Sequence, residues 1–460
     1  MAMSMQRGNT AVQTFASAQS SQDRIARIAI PLFLVGVLLA TTLYVNISGL
    51  SISADRLVLL VFFIPILSAL GQVRFLRLQA FDYFIFAAIA WLVISLIVNN
   101  GPERGIKYGG SLALEAIGGY LLARVYVRNF TQFSFAVRTY LLFVVIAGVI
   151  ALPETLTGMK LVPGLGPPVG YDTGRFGLHR GNSGFDHPIL FGAFSSTVLG
   201  LVWFLYSDRP VRWIMVAVVV GVTFLALSSA PLLACMLAAV VILWEKYTRT
   251  IANRVAITLS IIAAAYVVVG GFSNRSPIAV LLPFISLDPW TAYYRLYIWE
   301  YAMMNITEHP IFGIGLNDWV RPAWMPTSVD SLWLTIMLLG GVPTLVFLVL
   351  GMGVLMVRVH ARSTDIETRE RWKARFGWTA AVLALCMQAF TVHYWGAMHG
   401  VFFFVLGLGA WLTDGEAREA ARSTVKPQGR RGVVAARSGS IARLHRRRAQ
   451  TPGALPGTPT

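Results

Sequence analysis

Residues 328–357 read SVDSLWLTIMLLGGVPTLVFLVLGMGVLMV, thirty residues that begin at a carboxylate and continue almost wholly apolar. A helix rises ~1.5 Å per residue and the bilayer core is ~30 Å thick, so about twenty residues cross it. The stretch is therefore too long for one upright span and too short for two. Gly340, Gly341 and Pro343 fall near its middle, where a proline removes a backbone donor and crowds the preceding turn. The expected form is a first part broken off as a tilted or re-entrant helix, followed by one net crossing. Irregular backbone at membrane depth survives only where protein or a watery cavity satisfies it. Asp330 thus marks a place to look for a site.

The rest of the chain has the same character. Of 460 residues, 56% are hydrophobic and 13% charged, against about a quarter charged in an average soluble domain. Apolar runs near twenty residues recur, at roughly 28–48, 55–71, 80–98, 108–126, 136–153, 189–206, 212–229, 230–245, 255–272, 329–358, 376–392 and 397–413. The predicted fold is all-α: a polytopic integral membrane protein of about twelve spans. Strands of alternating polarity, the signature of an outer-membrane barrel, are absent from the sequence. A leader (1–27) precedes the membrane domain (28–413), and a basic, low-complexity tail (414–460) follows it. The first apolar run lacks a small-residue cleavage site and reads as a retained span.

Lysines and arginines set the orientation. They gather at 24–27, 71–79, 123–138, 207–212, 244–254 and 358–375. All fall on one side when the broken span crosses once and both termini are cytoplasmic. Much of the net charge of +17 lies in the tail, where it suits anionic lipid and does not argue for nucleic acid. Two long loops, 154–188 and 273–327, then face outward, as do His179, His187, His309, His393 and His399. Cys235 and Cys386 lie inside spans and offer neither a disulfide framework nor metal-ligand spacing.

The first outer loop ends in GRFGLHRGNSGFDHPILFGAF, 174–194. Arg175 and Arg180 are planar, permanently charged forks suited to phosphate oxygens. His179 and His187 could act as acids, bases or donors near neutral pH. The alternative is a loop folded on itself, with Asp172 and Asp186 paired to the arginines. In the second loop, 291–305 fits an amphipathic helix with Tyr294, Tyr297, Ile298 and Tyr301 on one face and Arg295 and Trp299 on another. Pro310 ends it, and GIG at 313–315 makes a tight turn. Asp330 is either the N-cap of a helix starting at Ser331 or a base facing a cavity. Glu115 lies within a span and needs a partner or a cavity. Arg104 and Lys107, in the loop NNGPERGIKYGG, go against the positive-inside trend.

In this order and sidedness, the chain resembles the bacterial O-antigen ligase and Wzy-type polysaccharide polymerase superfamily. The residues that carry the resemblance are Arg175, Gly177, His187-Pro188, Arg295, Trp299, Pro310, Gly313, Gly315 and DSLWL at 330–334. It covers roughly 170–345. It implies a glycosyltransferase of the bacterial inner membrane, working on the periplasmic face on a polyprenyl-diphosphate-linked oligosaccharide and needing no metal or nucleotide cofactor. Asp330 and His187 are then the candidate catalytic residues. Arg175, His179, Arg180, Arg295, Trp299 and His309 would bind the diphosphate or glycan. Many ligases carry a His-Asn pair where this chain has Asp330-Ser331, and the Asp-Ser-Leu-Trp-Leu form is more like polymerases of exopolysaccharide. Expected partners are the lipid-linked substrate, the bilayer, and chain-length or export proteins. The competing readings are a ligase acting on lipid A-core and a flippase of lipid-linked sugars.

Overall fold

The computed structural model describes residues 23–414 except 48–49, 72–76, 170–174, 252, 256, 259, 262–263, 265–266, 269–288 and 362–367. Most of the leader, the tail beyond 414, Asp172 and the opening of the second long loop lie outside the described residues.

The described chain is predominantly helical. Helix α1 covers 23–39, and a short hairpin, β1 Tyr44–Ile47 and β2 Leu50–Ser53, pairs antiparallel after it. Then come α2 Ala54–Gly71, α3 Ala80–Tyr126, α4 Phe130–Thr157, α5 Pro188–Leu205, α6 Arg212–Phe224 and α7 Ser229–Thr248. The remaining helices are α8 Pro289–Glu308, α9 Leu332–His360, α10 Arg369–Gln388 and α11 Ala397–Leu408, with a 3₁₀ turn at Ala410–Thr413. Among the described residues, six helices are long and apolar enough to cross a membrane: α2, α3, α4, α5, α7 and α9.

Three expectations are corrected. The first apolar run does not stay helical to residue 48. The helix stops at 39, and Tyr-Val-Asn-Ile with Leu-Ser-Ile-Ser turns the chain into the hairpin, because alternating β-branched and polar residues suit a strand. The polar segment 99–110 is not a loop. Only Gly101 leaves the helical conformation, at φ 76° and ψ 165°, and Pro102 starts the next helical arm. A Cβ at Gly105 would lie 2.6 Å from Ile97 Cα, and one at Gly109 3.4 Å from Val93 Cα, so the two arms of α3 run back along each other. Asp82 on one arm accepts from Tyr120 and Arg124 on the other, with Arg124 Nε at 3.2 Å and both charges fully buried. Lastly, α10 unwinds after Gln388, leaving 392–396 as an extended strap before α11.

The break in α9 falls where the sequence placed it. Gly341 has φ 74° and ψ 175°, close to the turn at Gly101, and divides a short arm (332–340) from a long one (342–360). The freed backbone groups are taken up by the loop after α8. Val342 N–H donates to Pro310 C=O at 2.8 Å, and the N–H groups of Ile314 and Gly315 donate to Leu338 C=O at 2.7 and 3.2 Å. Trp91 Nε1 and Ser95 Oγ donate to Gly340 C=O at 3.1 and 3.2 Å. The broken helix is therefore satisfied by protein, as a low-dielectric setting requires. The segment HPIFGIG (309–315) seals the break: φ is positive at Gly313 and Gly315, and the backbone of Gly313 lies against that of 337–341.

The bundle packs α3 against α9 and α11, and α5 against α10, α6 and α7. Close approach depends on small residues, as at the α3–α11 contact, where the backbone of Gly400 occupies the space a Cβ on Gly119 would need.

Candidate functional site

The first long loop is held by a buried carboxylate. Glu154, at the end of α4, accepts the N–H groups of Asn182 and Ser183 at 2.9 and 2.8 Å and pairs with Lys160 at 3.0 Å. Lys160 in turn donates to Asn182 Oδ1 and to Ser183 C=O. This fixes the segment that leads from Arg175 to α5. Arg175 and Leu178 close a small turn by mutual backbone bonds of 2.9 Å.

Both arginines of the loop are anchored at the end of α6. Arg175 Nη1 donates to Leu227 C=O at 2.9 Å, and Arg180 Nε donates to Ala226 C=O at 3.2 Å. Each uses a neutral carbonyl, so the cationic charge is positioned without being neutralised. Among the described residues no carboxylate pairs with either one. Arg295, buried on α8, stands near enough to act on Arg180. Burial first, then the charges of Arg175 and Arg295, lower the Arg180 pKa to about 10. Arg180 thus lies within electrostatic reach of two other guanidinium groups, one of them more than a hundred residues away in the chain.

Asp330 is the carboxylate of this cluster. The cap of α9 is Ser331, whose Oγ accepts from Leu334 N–H and donates to Ala389 C=O, and the helix starts at Leu332. The expected cap at Asp330 is corrected by one residue, because serine and aspartate cap equally well and the serine is tied to α10. The Asp330 side chain is left to face Arg295. Burial holds its carboxyl above the ordinary range, and the positive charge of Arg295 pulls the other way.

His187 caps α5: its Nδ1 accepts the Ile189 N–H at 3.1 Å. Burial, then Arg180, pushes its pKa down to about 4, so near neutrality it is uncharged, with its proton on Nε2. It can donate from Nε2, while Nδ1 is committed to the cap. Its ring lies 6.0 Å from that of Trp395 in the strap. Asp186 bonds to Trp395, not to an arginine, and burial raises its pKa.

Trp299 stacks on Phe390 at 5.8 Å and donates to its C=O at 3.1 Å, one turn from Arg295. The buried face of α8 is Arg295, Ile298, Ala302, Asn305 and Ile306, packed on Trp319, Met325, Leu334 and Met337. Ile298 of the expected face is buried, Tyr294 and Tyr301 are partly buried against the same cluster, and only Tyr297 is exposed, so the packed face is the expected one extended toward Ala302 and Ile306. His179 sits against the αL cap Gly158 of α4. His309 is exposed at the end of α8, and no described contact joins it to the arginine cluster.

A second group of polar residues surrounds a cavity of about 880 Å³. Glu115, fully buried, accepts from Arg56 Nε at 2.7 Å and faces His399 Nδ1 at 3.3 Å. Glu115, whose place within a span requires a partner, finds it in Arg56 at the head of another apolar run, a pairing with no local sequence signature. His393 lines the same cavity, its pKa lowered to about 4 by burial and then by His399. No cluster suited to a metal ion is found among the described residues. No family model matches the sequence, and no characterised protein matches it.

Proposed function

We propose that the chain is a membrane glycosyltransferase that polymerises polyprenyl-diphosphate-linked oligosaccharide repeat units on the periplasmic face of a bacterial inner membrane. The observation that carries this reading is that Arg175 and Arg295 both lie within electrostatic reach of Arg180, while Arg295 also acts on the carboxylate of Asp330 at the head of a broken helix. A diphosphate brings two or more negative charges and pairs of non-bridging oxygens that guanidinium forks match bidentately. In the transfer, an acceptor hydroxyl attacks the anomeric carbon of the donor sugar. The bond from that carbon to the diphosphate oxygen breaks, and its electron pair leaves with the polyprenyl diphosphate. The arginines stabilise that departing charge, and Asp330 takes the hydroxyl proton as general base. A carboxyl whose pKa is raised by burial is a better proton acceptor than an ordinary aspartate. Neutral His187 supplies an Nε2–H donor beside Arg180.

The test uses the full chain in lipid nanodiscs with lipid-linked repeat units. Lengthening of the lipid-linked glycan is the expected product. Transfer to lipid A-core would make the protein a ligase, and transbilayer movement without a new glycosidic bond would make it a flippase.

A further inference from the structure

The 880 Å³ cavity lies beside the arginine cluster but is built of different material. One wall is a single face of the short arm of α9: Leu332, Thr335, Ile336 and Leu339, at the i, i+3, i+4 and i+7 spacing of one helix side. The opposite wall is the second arm of α3, with Lys107, Tyr108 and Ser111. The strap closes the end through Trp395, which also touches His187 and bonds Asp186. Asp330, on which Arg295 acts, stands two residues before Leu332 of the cavity wall.

The charge of the cavity is nearly balanced. Arg56 is committed to Glu115, and Lys107 to Glu103 at 2.8 Å. What remains toward the space is one guanidinium, Arg104, the imidazoles of His393 and His399, and hydroxyls, amides and aromatic faces: Ser111, Thr335, Asn100, Tyr108 and Trp395. A single guanidinium beside two carboxylates is a poor match for a concentrated anion such as a diphosphate. A hydroxyl-rich ligand with apolar ring faces is a better one, since hydroxyls take the polar groups and the ring faces lie on the aromatics. The volume is in the range of sites that take ligands of drug size, roughly 300–1,000 Å³, enough for a few sugars.

We propose that this cavity is a saccharide site and holds the acceptor glycan, with the Glu115–Arg56–His399 group keeping its wall in shape. The acceptor role rests on the glycosyltransferase reading, whereas saccharide binding does not. The probe is repeat-unit oligosaccharide released from its lipid carrier by mild acid, titrated into the full chain in nanodiscs free of sugar-headed detergent. Saturable binding is expected. It should weaken at least tenfold in Ser111→Trp, which fills the space, and in Tyr108→Ala, which truncates an exposed side chain and keeps the fold. Arg175→Ala should bind the oligosaccharide as the unaltered chain does. Absence of saturable binding, or equal loss in Arg175→Ala and Ser111→Trp, overturns the site. If lipid-linked glycan is lengthened while the released oligosaccharide does not bind, the cavity assignment falls and glycosyl transfer stands. Binding in the cavity with no glycosidic product supports the saccharide site and refutes the polymerase reading.

Discussion

Replacing Gly341 by alanine probes the joint on which the site depends. At φ 74° and ψ 175° the backbone occupies a region almost reserved for glycine, and another residue there costs about 1–3 kcal/mol. The added Cβ would also press into backbone, overlapping Ile311 and lying 2.8 Å from Pro310 O. Overpacking of this kind costs about 1–3 kcal/mol, for a total of about 2–6 kcal/mol. Part of that strain can be relieved by pushing the loop 310–315 away, which breaks the Val342–Pro310 bond and the two bonds to Leu338 C=O. Asp330 would then lose the fixed helix that presents it. The comparison is Gly353→Ala, on the same helix, where a Cβ meets nothing within 4 Å and alanine favours the helix by up to ~1 kcal/mol. Thermal unfolding of both variants in nanodiscs, followed by tryptophan fluorescence, reads the difference. Gly341→Ala should melt several degrees lower and lose activity, and Gly353→Ala should melt at or slightly above the unaltered chain. Equal melting of the two would refute the claim that the loop seals the break.

Other residues yield further expected outcomes. Arg175→Ala and Arg295→Ala should each abolish polymer while the amount of membrane-inserted protein, measured by immunoblot, stays unchanged. Glu154→Gln breaks a buried pair, which costs about 3–5 kcal/mol; thermal unfolding should show the loss, and a melting curve like that of the unaltered chain would count against the anchoring role. If Asp330 is the base it must be ionised, so the acid limb of the pH–rate profile should lie above the ordinary aspartate value of about 3.9, and Asp330→Asn should remove the activity. His187, held at about 4 when folded against about 6.5 when unfolded, disfavours folding as pH falls. The stability it contributes is present above pH ~6.5 and lost between there and pH ~4. His187→Asn keeps a good cap and should flatten that part of a stability–pH curve.

The break in α9 was legible because Gly-Gly-Val-Pro inside an apolar run leaves few other solutions. The turn at Gly101 was not, because Asn, Gly, Pro, Glu and Arg in succession have the composition of a loop, and only the tertiary fold shows that helix continues on both sides. Hydropathy likewise carried α1 too far, since the tyrosine, valine and isoleucine of the hairpin are as apolar as helix residues. Arg175, Arg180 and Arg295 could be named from residue type alone, yet nothing local tells that they share one space. Glu115 and His399 are 284 residues apart, so their contact has no sequence signature at all. The strap with Trp395 falls in the gap between the apolar runs 376–392 and 397–413, and only the end of the first run reaches a few residues too far, because 389–392 are as apolar as the helix before them.

The central claim is that the three arginines receive the diphosphate of a lipid-linked donor. Equilibrium binding of polyprenyl diphosphate and polyprenyl monophosphate to the full chain in nanodiscs tests it most directly. The diphosphate is expected to bind more tightly, and Arg175→Ala and Arg295→Ala to erase the difference. Equal affinity for the two lipids, or a preference that survives both substitutions, would contradict the claim.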